Sequence, residues 1–131
     1  MRVNILDYGK EAVTQMAVYY TPDWITRFIR QGGMYGAFIG DEVVGVITLD
    51  DGRVRNLFIR IDYQCCGIGA RLLMFIEDLA IKKGVRRLFL SSNIAAVKFY
   101  EKAGYNTIEV QKEKIGGSEI KTVIMEKILP G

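Results

Sequence analysis

The stretch that decides the fold is LFIRIDYQCCGIGA, residues 57–70, in which an apolar run leads into a turn with two glycines. Apolar residues then recur at spacings of three and four over residues 68–79, which predicts an amphipathic helix. The first N–H groups of a helix lack intrahelical partners and carry partial positive charge. Because Gly67 and Gly69 have no Cβ, a phosphate can approach this backbone closely. The stretch therefore predicts an anion site between a strand and a helix.

The familiar nucleotide-binding patterns do not fit this turn. No Gly-Lys-Ser/Thr follows it, so it is not the loop of the P-loop NTPases. It also lacks the first glycine of the dinucleotide fingerprint, and its strand lies deep in the chain instead of opening a βαβ unit.

A second stretch, NIAAVKFYEKAGY at residues 93–105, narrows the range of protein families that the chain could belong to. Together with Gln-x-x-Gly-x-Gly-Ala at residues 64–70, it resembles the two motifs of the GCN5-related N-acetyltransferases (GNAT family). The motifs occur in the family's order with one short strand between them. The order of elements agrees over essentially the whole chain. The resemblance implies a single N-acetyltransferase domain over residues 1–131 that uses acetyl-CoA as co-substrate.

The hydrophobic periodicity predicts an α/β domain with the order β-α-α-β-β-β-α-β-α-β-β. Its sheet is mixed and mostly antiparallel, with strands 4 and 5 as one parallel pair, and about four helices accompany it. The predicted strands cover residues 3–6, 35–39, 43–49, 53–61, 88–90, 105–112 and 119–128. The predicted helices cover residues 11–20, 22–31, 68–83 and 93–103. Between Val54 and Leu57 the apolar phase of strand 4 slips by one residue, which predicts a β-bulge.

The composition fits a globular enzyme domain of 131 residues, with 50% hydrophobic and 25% charged residues. The net charge of +3 is scattered, which disfavours a nucleic-acid surface. No apolar run reaches the length of a membrane span or of a signal peptide. The only two cysteines are adjacent and form no disulfide framework, so we expect a cytoplasmic protein, monomeric or homodimeric, that binds neither nucleic acid nor membrane. With no histidine in the chain, we expect no metal and no imidazole base.

The resemblance assigns roles to particular residues. Tyr100 would be the general acid that protonates the leaving thiolate, although an aromatic on a helix face is by itself more often core. Asn93 would contact the co-substrate, or would only cap the helix. The residues implied to contact acetyl-CoA are Phe58, Ile59, Ile61, Gln64, Cys65, Cys66, Gly67, Ile68, Gly69, Ala70, Asn93 and Tyr100.

The general base and the acceptor stay open at this point. Family members often carry Glu on strand 4 before the bulge, where this chain has Arg53. Asp50, Asp51, Glu109 or a water remain as substitutes. Aromatic residues in or near the first two helices could line the acceptor pocket, although core packing is the commoner fate for each: Tyr20, Trp24 and Tyr35.

Two further questions are left open by the sequence. Cys65 and Cys66 stand where the family often has Arg, Gly or Lys, and their thiols are either inert core groups or reactive ones. The alternatives to a small-amine enzyme are a non-catalytic acyl-CoA-binding module and a protein N-terminal or lysine acetyltransferase.

Overall fold

A seven-stranded sheet organises the computed structural model, which describes residues 4–6, 33–40, 42–64 and 66–130. The strands are β1 (Asn4–Leu6), β2 (Met34–Ile39), β3 (Glu42–Asp50), β4 (Arg53–Ile59), β5 (Arg87–Ser92), β6 (Asn106–Ile115) and β7 (Ser118–Ile128). Within the described residues the α-helices are α1 (Ile68–Lys82) and α2 (Val97–Lys102), and single 3-10 turns occupy Ile61–Tyr63 and Ile94–Ala96. The helices predicted over residues 11–20 and 22–31 lie outside the described residues.

The strand order across the sheet is β1-β2-β3-β4-β5-β7-β6. Every pairing is antiparallel except that between β4 and β5, which confirms the predicted parallel pair. That pair is joined at one position only, Arg53 opposite Phe89. Beyond this point the two strands part, so the centre of the sheet opens toward their carboxyl ends.

The bulge predicted from the apolar phase slip is present in β4. Between the pairs Val46–Phe58 and Thr48–Arg55, β3 advances by two residues and β4 by three. The extra residue therefore lies on β4, where a bulge bends a strand and re-aims its side chains. In the turn before β4, Asp51 and Gly52 both have positive φ angles, of 45° and 87°, as a type I′ hairpin turn requires.

Helix α1 packs its apolar stripe on the sheet. Its five fully buried side chains belong to Ile68, Leu72, Leu73, Ile76 and Ala80. They join a core with residues of the central strands, such as Val44, Leu88 and Met125. The helix ends at Lys82 and is followed by Gly84 at φ 79°, in agreement with the predicted stop at a glycine.

Several predicted strand limits differ from the structure by one to three residues, for example at the end of β6, and two differences change the type of an element. Strand β4 ends at Ile59 rather than residue 61, because Arg60 leads into the 3-10 turn that contains Ile61. The helix predicted over residues 93–103 is divided into the 3-10 turn Ile94–Ala96 and the six-residue α2. None of the helices in the described part of the chain is long and apolar enough to cross a membrane.

Candidate active site

A cavity of about 390 Å³ lies where β4 and β5 part. Strand β4 lines one side, and the end of β5 with the start of the α2 segment lines the other. The lining residues are Arg53, Val54, Arg55, Leu57, Phe58, Ser91, Ser92, Asn93, Ala96 and Tyr100. The cavity thus joins residues of β4 to residues in or just before the second motif, which are about 40 positions apart in the chain.

Tyr100 reaches this cavity from α2. Its ring packs edge-on against Phe99, with 5.1 Å between ring centroids, and against Tyr105 at 5.9 Å. Among the described residues none forms a hydrogen bond with its hydroxyl group. Burial raises the pKa of Tyr100 above its ordinary value near 10, because a phenolate would be poorly solvated here. The side chain is therefore a neutral O–H donor at neutral pH.

A polar network fixes the ring behind Tyr100. Tyr105 is buried and donates its hydroxyl proton to Glu77 Oε2 at 3.0 Å. Lys127 Nζ donates to Glu77 Oε1 at 2.9 Å and to the Ala103 carbonyl at 2.7 Å. Burial, and then the neighbouring Glu77 charge, raise the pKa of Tyr105 far above that of a free tyrosine. The sequence motif indicates only an aromatic at this position, and nothing in the sequence linked it to Glu77 or Lys127.

The start of α1 follows the carboxyl end of β4. The hairpin turn that precedes β4 lies at the opposite end of this strand. Gly67 caps the helix in the left-handed conformation, at φ 78° and ψ 5°. The first intrahelical bond is Arg71 N–H to Gly67 O at 3.2 Å, so the N–H groups of Ile68, Gly69 and Ala70 have no partner within the helix. The first turn contains no acidic side chain. This end of the helix therefore fits an anion such as the pyrophosphate of CoA.

The two glycines of the turn act differently from one another. A Cβ on Gly67 would meet no atom within 4 Å, so its left-handed conformation, not space, favours glycine there. A Cβ on Gly69 would lie 3.3 Å from the Phe99 ring, so this glycine lets α1 and α2 approach closely. Close approach of a ligand, the reason inferred from the sequence, stays a prediction for both glycines.

Several other predicted contact residues have local structural partners. Gln64 Nε2 donates to the Ile59 carbonyl at 3.3 Å and so ties the loop to the end of β4. Asn93 Oδ1 accepts the Ala96 N–H at 2.9 Å, which confirms its capping role. Ile61 is 84% exposed and lies beyond the strand. Cys66 is exposed rather than part of the core, and Cys65 lies outside the described residues.

The three carboxylates considered as bases do not line the cavity. Asp50 Oδ2 lies 3.3 Å from Arg55 Nε, Asp51 belongs to the hairpin turn, and Glu109 lies on the exposed edge strand β6. Tyr35 is buried and packs against Phe75 at 5.1 Å, so it belongs to the core. Tyr20 and Trp24 lie outside the described residues.

Part of the lining lies outside the residues that were predicted from the sequence. Arg55, Ser91 and Ser92 were not singled out, although Arg55 has the same strand parity as Arg53. Parity alone puts two residues on one face of a strand. It could have indicated that the two arginines act together.

Comparison with known proteins identifies the family to which the chain belongs. A family profile described as "Acetyltransferase (GNAT) domain" matches residues 4–129. The [ribosomal protein bS18]-alanine N-acetyltransferase of Escherichia coli strain K12 is 34% identical over 87 residues, which cover 64% of this chain and 56% of that protein. A streptothricin acetyltransferase of Escherichia coli is 26% identical over 113 residues, which cover 79% of this chain and 65% of that protein. The chain thus spans somewhat more than half the length of these curated relatives.

The fold agrees with solved structures as well. An aminoglycoside 6'-N-acetyltransferase in complex with coenzyme A superimposes with a TM-score of 0.78, covering 100% of this chain and 98% of that one at 15% identity. At this identity the likeness establishes the fold. The chain belongs to the GNAT acetyltransferase family, and its open sheet with one parallel pair is the GNAT fold.

Proposed function

We propose that this protein is an acetyl-CoA-dependent N-acetyltransferase that moves the acetyl group to a primary amine by direct attack. The observation that carries the proposal is the position of Tyr100, which lines the cavity between the parting strands and whose hydroxyl has no hydrogen-bond partner among the described residues. A tyrosine turned fully into the core would have favoured a non-catalytic CoA-binding module instead.

In this reaction the amine nitrogen forms a bond to the thioester carbonyl carbon, and the bond from that carbon to sulfur breaks. The leaving thiolate needs a proton, which the neutral Tyr100 hydroxyl supplies in our proposal. The pyrophosphate of the co-substrate would lie on the N–H groups of Ile68, Gly69 and Ala70, where the helix dipole favours negative charge. These groups belong to the backbone, so Cys65 and Cys66 can replace cationic residues with a modest loss of affinity.

Removal of the proton from the acceptor amine is the step with the least support from side chains. Amines with a pKa near ~10 are mostly protonated at neutral pH, so a base or a water must accept this proton. Since Asp50, Asp51 and Glu109 do not line the cavity, we propose that a water in the cavity takes this role.

A turnover screen tests the function. Acetyl-CoA is offered with polyamines, amino acids, aminoglycosides and peptides with free N-termini, and acetylated products are identified by mass. We expect one class to be acetylated with release of one CoA per product. Acetyl-CoA binding by calorimetry without acetylation of any class would favour the binding module.

A second candidate function is acetylation of a protein N-terminus. It is favoured by the likeness to the [ribosomal protein bS18]-alanine N-acetyltransferase of Escherichia coli. The peptide arm of the screen distinguishes it from a small-amine enzyme. We further propose a cytoplasmic location, supported by the two adjacent cysteines, which form no disulfide framework.

A further inference from the structure

Two arginines line the same side of the cavity. Arg53 and Arg55 are separated by one residue on β4, and side chains two apart on a strand share a face. Val54 between them is buried in the core that α1 covers. The two guanidinium groups therefore lie on the face of the sheet opposite α1.

Within the described residues, the positive charge of this pair is only partly compensated. Arg55 Nε lies 3.3 Å from Asp50 Oδ2, yet this nitrogen is buried and makes no hydrogen bond of acceptable geometry. Of the described carboxylates, none pairs with Arg53, and none belongs to the cavity lining. The remaining polar lining consists of Ser91, Ser92, Asn93 and Tyr100, which are uncharged at neutral pH.

The arginine pair is remote from the proposed pyrophosphate site. Arg53 begins β4 and Ile59 ends it, so at the usual rise per residue the two ends are about 20 Å apart. The loop that leads to α1 follows the far end. The pair is therefore available to the other substrate.

We infer that Arg53 and Arg55 bind a carboxylate that the acceptor carries beside its amine, so that the acceptor is a small amino-acid-like molecule. The inference rests on the proposed function and specifies its substrate class. A guanidinium group binds a carboxylate through two parallel hydrogen bonds, which fixes orientation as well as charge. A cavity of about 390 Å³ is within the size range of small-molecule sites. A polycationic acceptor would instead meet like charge.

Matched acceptor pairs test this inference. The initial rate of acetylation is measured for each of the common amino acids beside its α-amide, which differs by one carboxylate. We expect at least one amino acid to exceed its amide about 10- to 100-fold in kcat/KM, the range for a hydrogen-bonded charge. In Arg53→Gln that ratio should fall toward one, mainly through a higher KM for the amino acid.

Two further variants separate the binding role from effects on folding. Arg53→Lys keeps the charge without the planar fork, so it should retain part of the preference. Arg86→Gln removes the same charge from an exposed position outside the cavity and should leave the preference intact. Melting by circular dichroism checks that each variant is folded, and Arg55→Gln provides a second test if Arg53→Gln is not.

Equal rates for every amino acid and its amide would overturn the inference, and so would a polyamine or a peptide without acidic groups as the best acceptor. Those results would leave the N-acetyltransferase function standing.

If no amine is acetylated, the proposed function itself fails. The arginine site is then tested by calorimetry, in which amino acids and their amides are titrated into the CoA-saturated protein. Tighter binding of an amino acid than its amide, lost in Arg53→Gln, would still support the arginine site, whereas equal or undetectable binding would overturn it.

Discussion

The two ends of β4 differ in the kind of group that they present. At the carboxyl end, Gly67 and the first turn of α1 offer backbone N–H groups, and the neighbouring side chains of Cys66 and Ala70 are exposed. At the amino end, Arg53 and Arg55 offer charged side chains. Backbone groups are unchanged when side chains vary, so the pyrophosphate site that we propose at the carboxyl end would tolerate the Cys-Cys sequence. Recognition at the acceptor site that we propose at the amino end would depend on which residues are present.

Tyr100 lines the cavity beside β4, and its replacement should have the largest effect. Tyr100→Phe removes only the hydroxyl, and a general acid typically contributes ~10²–10⁴-fold in rate. We expect kcat to fall on that scale while calorimetry finds nearly unchanged affinity for acetyl-CoA. Full turnover in the variant would mean that the thiolate leaves without help from this residue.

The pH dependence of kcat sharpens the same assignment. A general acid must be protonated, and burial raises the pKa of Tyr100, so its contribution should persist through pH 10 and be lost only above it. Above the raised pKa, kcat should decrease about tenfold per pH unit, and this alkaline decrease should be absent in Tyr100→Phe. A decrease that starts well below pH 10, or that is identical in the variant, would contradict the role.

Alkaline unfolding has to be separated from this decrease. The pKa of Tyr105 is also raised, so its hydrogen bond to Glu77 stabilises the fold fully below the ordinary tyrosine pKa near 10. As the pH rises from there through the raised pKa, this contribution to the free energy of unfolding is lost. Circular dichroism at each pH identifies the range in which the protein is still folded.

Much of the fold could be predicted because local patterns were strong. The glycine turn, the apolar repeat of α1 and the phase slip in β4 each depend on residues close together in sequence. The strand limits near Ile61 were less predictable. An apolar side chain extends the strand pattern, whereas the backbone has already turned into a 3-10 conformation that leaves it exposed.

The candidate site could be predicted only where a motif carried it. Tyr100 and Asn93 followed from the family resemblance, and both line the cavity. The network of Glu77, Tyr105 and Lys127 joins residues 28 and 50 positions apart, and no periodicity relates them. The role of Gly69 likewise depends on the distant Phe99 ring, so only the tertiary structure could reveal it.

The co-substrate end can be tested without disturbing the packing of Gly69. Ala70 is exposed in the first turn of α1, where a glutamate is favourable to the helix. Ala70→Glu would place a negative charge near the proposed pyrophosphate, and Ala70→Gln adds the same bulk without charge. At low ionic strength we expect Ala70→Glu to bind acetyl-CoA about 5- to 30-fold more weakly than Ala70→Gln, from Coulomb repulsion across a hydrated surface.

Salt distinguishes this electrostatic effect from a steric one. Because the Debye length shortens from ~10 Å at 0.1 M to ~3 Å at 1 M, the difference between the two variants should largely disappear at high salt. Equal affinities of the two variants at low salt would contradict a pyrophosphate at the start of α1.

The smallest expected effect concerns Cys66, which is exposed directly before Gly67. A pyrophosphate bound to the following N–H groups would partly cover its thiol. In a Cys65→Ser background Cys66 is the only cysteine, so alkylation by iodoacetamide can be followed by intact mass. Acetyl-CoA, which has no free thiol to consume the reagent, should slow labelling by a small factor, on the order of threefold if the thiol is only partly covered. Adding Ala70→Glu should raise the concentration of acetyl-CoA needed for protection, by the factor that calorimetry gives for that variant.

The opposite outcome would be a rate of Cys66 alkylation that is the same with and without saturating acetyl-CoA. It would show that the bound co-substrate does not cover this part of the loop.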